Sequence, residues 1–99
     1  MTPSPSVTHN VPRQRFEVTT GDAPTAFLSY IHEGERVVFD HTYVPDELRG
    51  RGLAAQLVRA ALNEARQQRW TVVPRCSYVD TFIKRNAEFA DLVKDQPAP

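Results

Sequence analysis

Two glycines and two arginines stand directly ahead of a helix-patterned run in Val44-Pro45-Asp46-Glu47-Leu48-Arg49-Gly50-Arg51-Gly52-Leu53-Ala54. Glycine lets a backbone turn tightly and approach a ligand closely. The first turn of a helix leaves N–H groups unpaired at the positive end of its dipole. Such a loop is an anion cradle, to which Arg49 and Arg51 can add charge-assisted contacts with a phosphate. The alternative is a plain helix start with incidental glycines. A P-loop would end in Gly-Lys-Ser/Thr, whereas Gly52 is followed by Leu53 and Ala54. A dinucleotide fingerprint would need a third small residue that only Ala55 supplies. Both motifs also expect a parallel sheet, and three strands joined by short links precede this loop. An Arg-Gly-Arg-Gly arm for nucleic acid would be flexible, whereas this one opens a strongly patterned helix, so no nucleic-acid partner is expected.

Charge supports the same focus. Twelve basic and twelve acidic residues cancel over the 99-residue chain, yet Arg49, Arg51, Arg59, Arg66, Arg69 and Arg75 lie in one stretch whose only acid is Glu64. One region of a neutral chain is thus prepared for an anion, or else presents arginines on a solvated helix face. Cys76 is the only cysteine, which removes intramolecular disulfides and cysteine-cluster zinc sites. His9, His32 and His41 have no metal-ligand spacing, so no metal is expected. No apolar run reaches the roughly 18 residues of a membrane span, and the N-terminal residues show neither a basic start nor an apolar core. The expectation is a cytoplasmic protein without a membrane partner.

The elements that must hold this loop follow from periodicity. Residues 1–12 and 95–99 are poor in apolar side chains and rich in proline, and are expected to be disordered tails around one domain of residues 13–94. Residues 15–19 alternate as a strand ending in a turn at Gly21-Asp22. Residues 25–31 form a more central strand, and a Gly34 turn joins it to the strand 36–44, which Pro45 ends. Leu53, Leu57, Ala61 and Ala65 recur every four residues, with Ala54, Val58 and Leu62 beside them, marking an amphipathic helix over about 52–68. Trp70 to Val79 returns to strand character, with Pro74 signalling an edge or a bulge. Phe82, Ile83, Phe89, Leu92 and Val93 suit short closing helices. The fold class is α+β: a mixed, mainly antiparallel sheet in the order β-β-β-α-β-α, with the helix as crossover to a parallel last strand.

The run His41-Thr42-Tyr43-Val44-Pro45, the loop Leu48 to Ala54, then Cys76-Ser77-Tyr78-Val79 and Asn86 to Val93 together resemble the GNAT superfamily of acyl-CoA N-acyltransferases, in its short single-domain type, over about residues 15–93. The family loop reads Gln/Arg-x-x-Gly-x-Gly/Ala; Gly50 and Gly52 fit, while Glu47 departs at the first position. The resemblance implies a minimal GNAT-like fold with acetyl-CoA as cosubstrate. Its pyrophosphate would be held by the backbone of Arg49, Gly50, Arg51, Gly52, Leu53 and Ala54. Its pantetheine arm would lie along Thr42, Tyr43 and Val44, in the splay between this strand and the strand 70–79.

Acyl transfer to an amine needs a neutral nucleophile, a polarised thioester carbonyl and a proton for the departing thiolate. A backbone N–H at Tyr43 or Val44 could polarise the carbonyl. His41 can be the base or a hydrogen-bonded structural residue. Cys76 can be an acylated nucleophile or a packed small residue lining the slot; in a regular strand Arg75 would point away from it and Tyr78 would share its face, where the phenol can protonate the leaving thiolate. The expected activity is direct N-acetyl transfer from acetyl-CoA to an amine acceptor, such as a protein lysine or N-terminus. The alternative is a non-catalytic CoA or acyl-CoA-binding module acting as a sensor or partner subunit.

Overall fold

The computed structural model describes residues 7–20 and 24–93. Its five strands are β1 (Thr8–Asn10), β2 (Arg15–Val18), β3 (Ala26–Glu33), β4 (Arg36–Tyr43) and β5 (Thr71–Pro74). Helix α1 (Leu53–Gln68) joins β4 to β5, and α2 (Ser77–Arg85) follows β5. Short 3-10 helices occupy Asp46–Leu48 and Ala87–Leu92. The strands lie in sequence order in one sheet; the first three pairings are antiparallel and β4 with β5 is parallel, as the α1 crossover requires. The mixed α+β class and the crossover therefore agree with the sequence pattern.

One face of the sheet builds the core. Phe16, Val18, Leu28, Tyr30, Val37, Phe39 and Val72 meet Leu57, Val58, Ala61, Leu62 and Ala65 of α1, and Phe82, Ile83, Phe89 and Leu92 close the same cluster. The segment after α2 is tied down from α1. Arg66 forms a bidentate pair with Asp91 and donates to the Glu88 carbonyl, and both Arg59 and Arg66 stand over the Phe89 ring. Two of the six clustered arginines thus have intramolecular work and do not belong to an anion site.

Three expectations change. Residues 8–10, expected in a disordered tail, form β1, whose anchor is side-chain chemistry rather than local apolarity. The His9 ring stacks on Phe16 at 4.2 Å, and its Nε2 lies 2.6 Å from the Tyr30 hydroxyl. The expected strand over 70–79 ends at Pro74, because proline brings no N–H to a ladder and the spacing of Val79, Phe82 and Ile83 is helical. The strand order also gains an element, β-β-β-β-α-β-α. The expected turn at Gly21-Asp22, residues 1–6 and 95–99 of the expected tails, and residue 94 at the end of the expected domain lie outside the described residues.

His9 makes folding sensitive to mild acid. Burial pushes its pKa below the ordinary histidine value; Glu64, 3.9 Å away, pulls it up and His32 pushes it down again. The folded state then favours neutral His9, so the contribution is present above the unfolded value of 6.5 and is lost as pH falls through the window below it. The urea midpoint is expected to drop between about pH 7 and about pH 5.5, and His9→Gln should show a smaller drop over the same range.

Candidate functional site

The site begins where β4 and β5 part. Their parallel register runs from Arg36↔Thr71 to Phe39↔Pro74, and β4 continues to Tyr43 without a partner on that side. The last backbone bond across the gap is the Cys76 N–H donated to the Phe39 carbonyl at 2.8 Å. The chain then turns into α2, with Cys76 as its N-cap residue. On the other edge of β4 the register against β3 slips between Ser29 and Tyr30: Tyr30 faces Phe39 and Ser29 faces His41, so Asp40 is the extra residue of a bulge. A bulge bends its strand and increases its twist, and this one sits one residue beyond the last β4–β5 pair.

A cleft of about 530 Å³ fills the divergence. Its β4 wall is Asp40 to Thr42 with Val44, and its far wall is Arg75 to Tyr78. The Thr42 hydroxyl and the Cys76 sulfur, 3.4 Å apart, bridge the two. Arg49 and Ala54 carry the cleft toward the glycine loop, where a second hollow of about 230 Å³ is shared by Tyr78, Gly50, Gly52 and Leu53. Tyr78 lines both, so the two hollows form neighbouring parts of one surface.

The loop has the backbone that its glycines allow. Gly50 and Gly52 sit at φ +82° and +72°, in the left-handed region that costs other residues roughly 1 to 2 kcal/mol. Gly52 is the N-cap of α1 and the first turn holds no acid; no side chain caps the helix start. The first intrahelical bond from the cap is Gln56 N–H to the Gly52 carbonyl at 3.1 Å, and the Arg49 N–H is donated to the Asp46 carbonyl, so the amides from Gly50 to Ala55 are available to an external acceptor. A Cβ at either glycine would meet nothing within 4 Å, which leaves the space over the amides open. Arg49 is exposed and 3.2 Å from the Asp46 carboxylate; Arg51 is exposed on the same turn. The loop therefore presents unpaired N–H groups, a helix dipole and the Arg49 side chain to one open hollow, with Arg51 exposed beside it, which fits a phosphate-bearing ligand.

The sequence-nominated side chains divide between the two faces of β4. Thr42 and Val44 belong to the cleft, and Thr42 rather than His41 meets the sulfur. His41 and Tyr43 project from the face opposite the core, with ring centroids 5.9 Å and 5.5 Å from Phe27. Tyr78 is in the first turn of α2, not two residues along a strand from Cys76, and Arg75 lies in the link before the cap. The expected alternation of Arg75, Cys76 and Tyr78 about a strand is thereby overturned, since no strand exists there. His41, Thr42, Val44, Cys76 and Tyr78 nonetheless border one cleft, and Tyr43 does not line it. Sequence reasoning passed over Asp40, which lines this cleft and accepts a 2.8 Å hydrogen bond from the Ser29 hydroxyl. A lone acid inside an apolar strand was the available signal. Among the described residues no group of three potential ligands could hold a metal, and no helix is long and apolar enough to cross a membrane.

Comparison with known proteins gives concordant results. A family model described as GCN5-related N-acetyl-transferase matches residues 15–92. Protein NATD1 of Bos taurus is 38% identical over 82 residues, covering 81% of this chain and 73% of that protein. Protein NATD1 of Xenopus tropicalis is 36% identical over 90 residues, covering 87% and 83%. In structure, the chain is similar to the solution structure of a GCN5-like putative N-acetyltransferase from Staphylococcus aureus. The TM-score is 0.70, with 21% identity and coverage of 88% of this chain and 85% of that one. At that identity the match speaks for the fold.

The positive φ at Gly52 has a cost that can be read without any ligand. Gly52→Ala is expected to lower unfolding stability by about 1 kcal/mol through αL strain, since no clash awaits the new methyl group. Urea denaturation of the two proteins checks this. An unchanged midpoint would mean that the loop relaxes freely and is not a pre-formed cradle.

Proposed function

Because the chain belongs to the GCN5-related N-acetyltransferase family, we propose that it transfers an acetyl group from acetyl-CoA to an amine by direct attack. The observation that carries this reading is the divergence of β4 from β5, which opens onto an uncapped helix start shaped by two left-handed glycines. The amides from Gly50 to Ala54 would hold the pyrophosphate, with the Arg49 and Arg51 side chains beside it; the expected Arg49 amide drops out, because it is already donated to the Asp46 carbonyl at 3.2 Å. The free edge of β4 at Thr42 to Val44 would pair with the pantetheine amides, much as an added strand would. Both hollows are open, and no acid occupies the first turn where the phosphates would lie.

Bound acetyl-CoA supplies a thioester, whose carbon–sulfur bond breaks as the bond from amine nitrogen to carbonyl carbon forms. A backbone N–H at Tyr43 or Val44 polarises the carbonyl oxygen. An incoming ammonium sheds two protons overall: one ends on the sulfur and one in solvent. His41, exposed at the edge of the cleft, takes the proton from nitrogen; the Tyr78 hydroxyl delivers one to the departing sulfur. Cys76 is given a packing role here. Its sulfur is half-buried and partnered by the Thr42 hydroxyl, while the candidate base projects from the other face of β4. A nucleophilic thiol would need its base alongside.

The acceptor is an amine on an accessible chain, such as a protein lysine or N-terminus. The face of the sheet on that side carries the exposed Tyr43 and His41, and both helices pack on the other.

Two measurements test this reading. Gly52→Val should weaken acetyl-CoA binding by about 2 kcal/mol, roughly thirtyfold, by calorimetric titration, because a branched side chain occupies the phosphate space. Equal affinity in a folded variant would remove the loop from the binding site. In intact-mass measurements after mixing with acetyl-CoA, no acetyl adduct should accumulate on the single thiol. An acetyl-Cys76 that forms and decays at the turnover rate would replace direct transfer with a covalent route. Tight CoA binding without turnover of any amine would favour a non-catalytic CoA-binding module.

A further inference from the structure

The bulge in β4 does more than bend the strand. Alternation from Phe39, which faces the core, turns Asp40 to the opposite face. The extra residue then resets the alternation, so His41, opposite Ser29, projects from that same face, where its ring packs on Phe27. A carboxylate and an imidazole that are neighbours in sequence, and would straddle a regular strand, are thereby brought side by side at the edge of the cleft. The Ser29 hydroxyl holds Asp40 by Oδ1 at 2.8 Å; among the described residues Oδ2 has no partner. Asp40 is also the only acid among the described residues lining the cleft, whose other fixed charges are Arg49 and Arg75.

We propose that Asp40 determines acceptor specificity: its free carboxylate oxygen receives the ammonium of a primary alkylamine and sets it beside His41, with the alkyl stem along Phe27 and Tyr43. This rests on the acetyltransferase reading above and names its acceptor class. The two rings stand 5.5 Å apart and offer an apolar wall, with Tyr43 exposed. One face of the Phe27 ring is already covered by the Arg15 guanidinium at 4.7 Å, so the acceptor's cation is left to Asp40 rather than to that face. The class is an alkylammonium without a neighbouring carboxylate, as in a lysine side chain or a diamine. A free α-amino acid would bring its own carboxylate against Asp40, and an arylamine, neutral at neutral pH, would gain nothing from it.

The experiment compares kcat/KM for Nα-acetyl-lysinamide and n-pentylamine with that for aniline, using acetyl-CoA and the full chain. Asp40→Asn keeps an oxygen for the Ser29 hydroxyl but loses the charge. The ratio of cationic to neutral acceptor efficiency is expected to fall about tenfold, the scale of one charge-assisted hydrogen bond, and mainly through KM. Asp40→Glu should restore part of the ratio, and urea midpoints for both variants check that the fold persists. An unchanged ratio, with cationic and neutral acceptors losing efficiency alike, would make Asp40 a structural residue and overturn the proposal. A wild-type protein that acetylates aniline but no alkylammonium overturns it too, while leaving acetyl transfer standing. A protein that binds acetyl-CoA and turns over neither class removes both.

Discussion

The pairing of β4 with β5 stops at Phe39 and Pro74, and most of what the molecule can do follows from that stop. Two causes act at one level of the sheet. Pro74 contributes no N–H, leaving Cys76 as the last donor before the chain turns into α2. Across the gap, the extra residue Asp40 bends β4 just as it loses its neighbour. An edge opened in the middle of a sheet would normally invite another strand. Here it faces a cleft that leads to the glycine loop, so a ligand with an amide-bearing arm and a phosphate could satisfy both ends.

The remainder of the fold keeps that opening in place. α1 must start at Gly52 and lie on the core, and the row Leu53, Leu57, Ala61 and Leu62 buries it against the sheet. Its far end holds the closing segment through Arg59 and Arg66. Helix α2 is thereby fixed between α1 and β5, and with it the position of Cys76 and Tyr78. At the opposite side of the sheet, His9 fastens β1 over Phe16 and Tyr30, where burial also pushes the Tyr30 phenol above its ordinary pKa. The arginines split by role: those on the outer face of α1 staple the closing segment, and Arg49 and Arg75 stand at the cleft.

What could be read from sequence was what is local. The glycine loop and α1 were legible because positive φ, a helix start and a four-residue apolar period are short-range signals; the resemblance to the N-acetyltransferase family rested on that loop together with His41 to Pro45, Cys76 to Val79 and Asn86 to Val93. The end of β5 was misread because Val72, Val73, Cys76, Tyr78 and Val79 continue an apolar texture; only Pro74 and the i, i+3, i+4 spacing from Val79 mark the change. β1 escaped notice since Thr8, His9 and Asn10 are polar, and the bond that orders them joins residues 21 apart. The bulge was invisible in principle: Val37, Phe39, His41 and Tyr43 keep perfect alternation, and only the register against β3 shows that the last two have changed faces. That hidden switch is what separates His41 from Cys76 and joins it to Asp40.

The central claim is that the split strand and the glycine loop act as one acyl-CoA site. Titrating acetyl-CoA into uniformly 15N-labelled protein and following each backbone amide tests it most directly. The expected result is concerted, saturable shifts at Thr42 to Val44 and at Gly50 to Ala54, with Tyr78 responding and the hollow beside Trp70 and Arg69 unaffected. Shifts confined to the hollow beside Trp70 and Arg69, or saturation with the β4 edge and the loop silent, would contradict a shared acyl-CoA site.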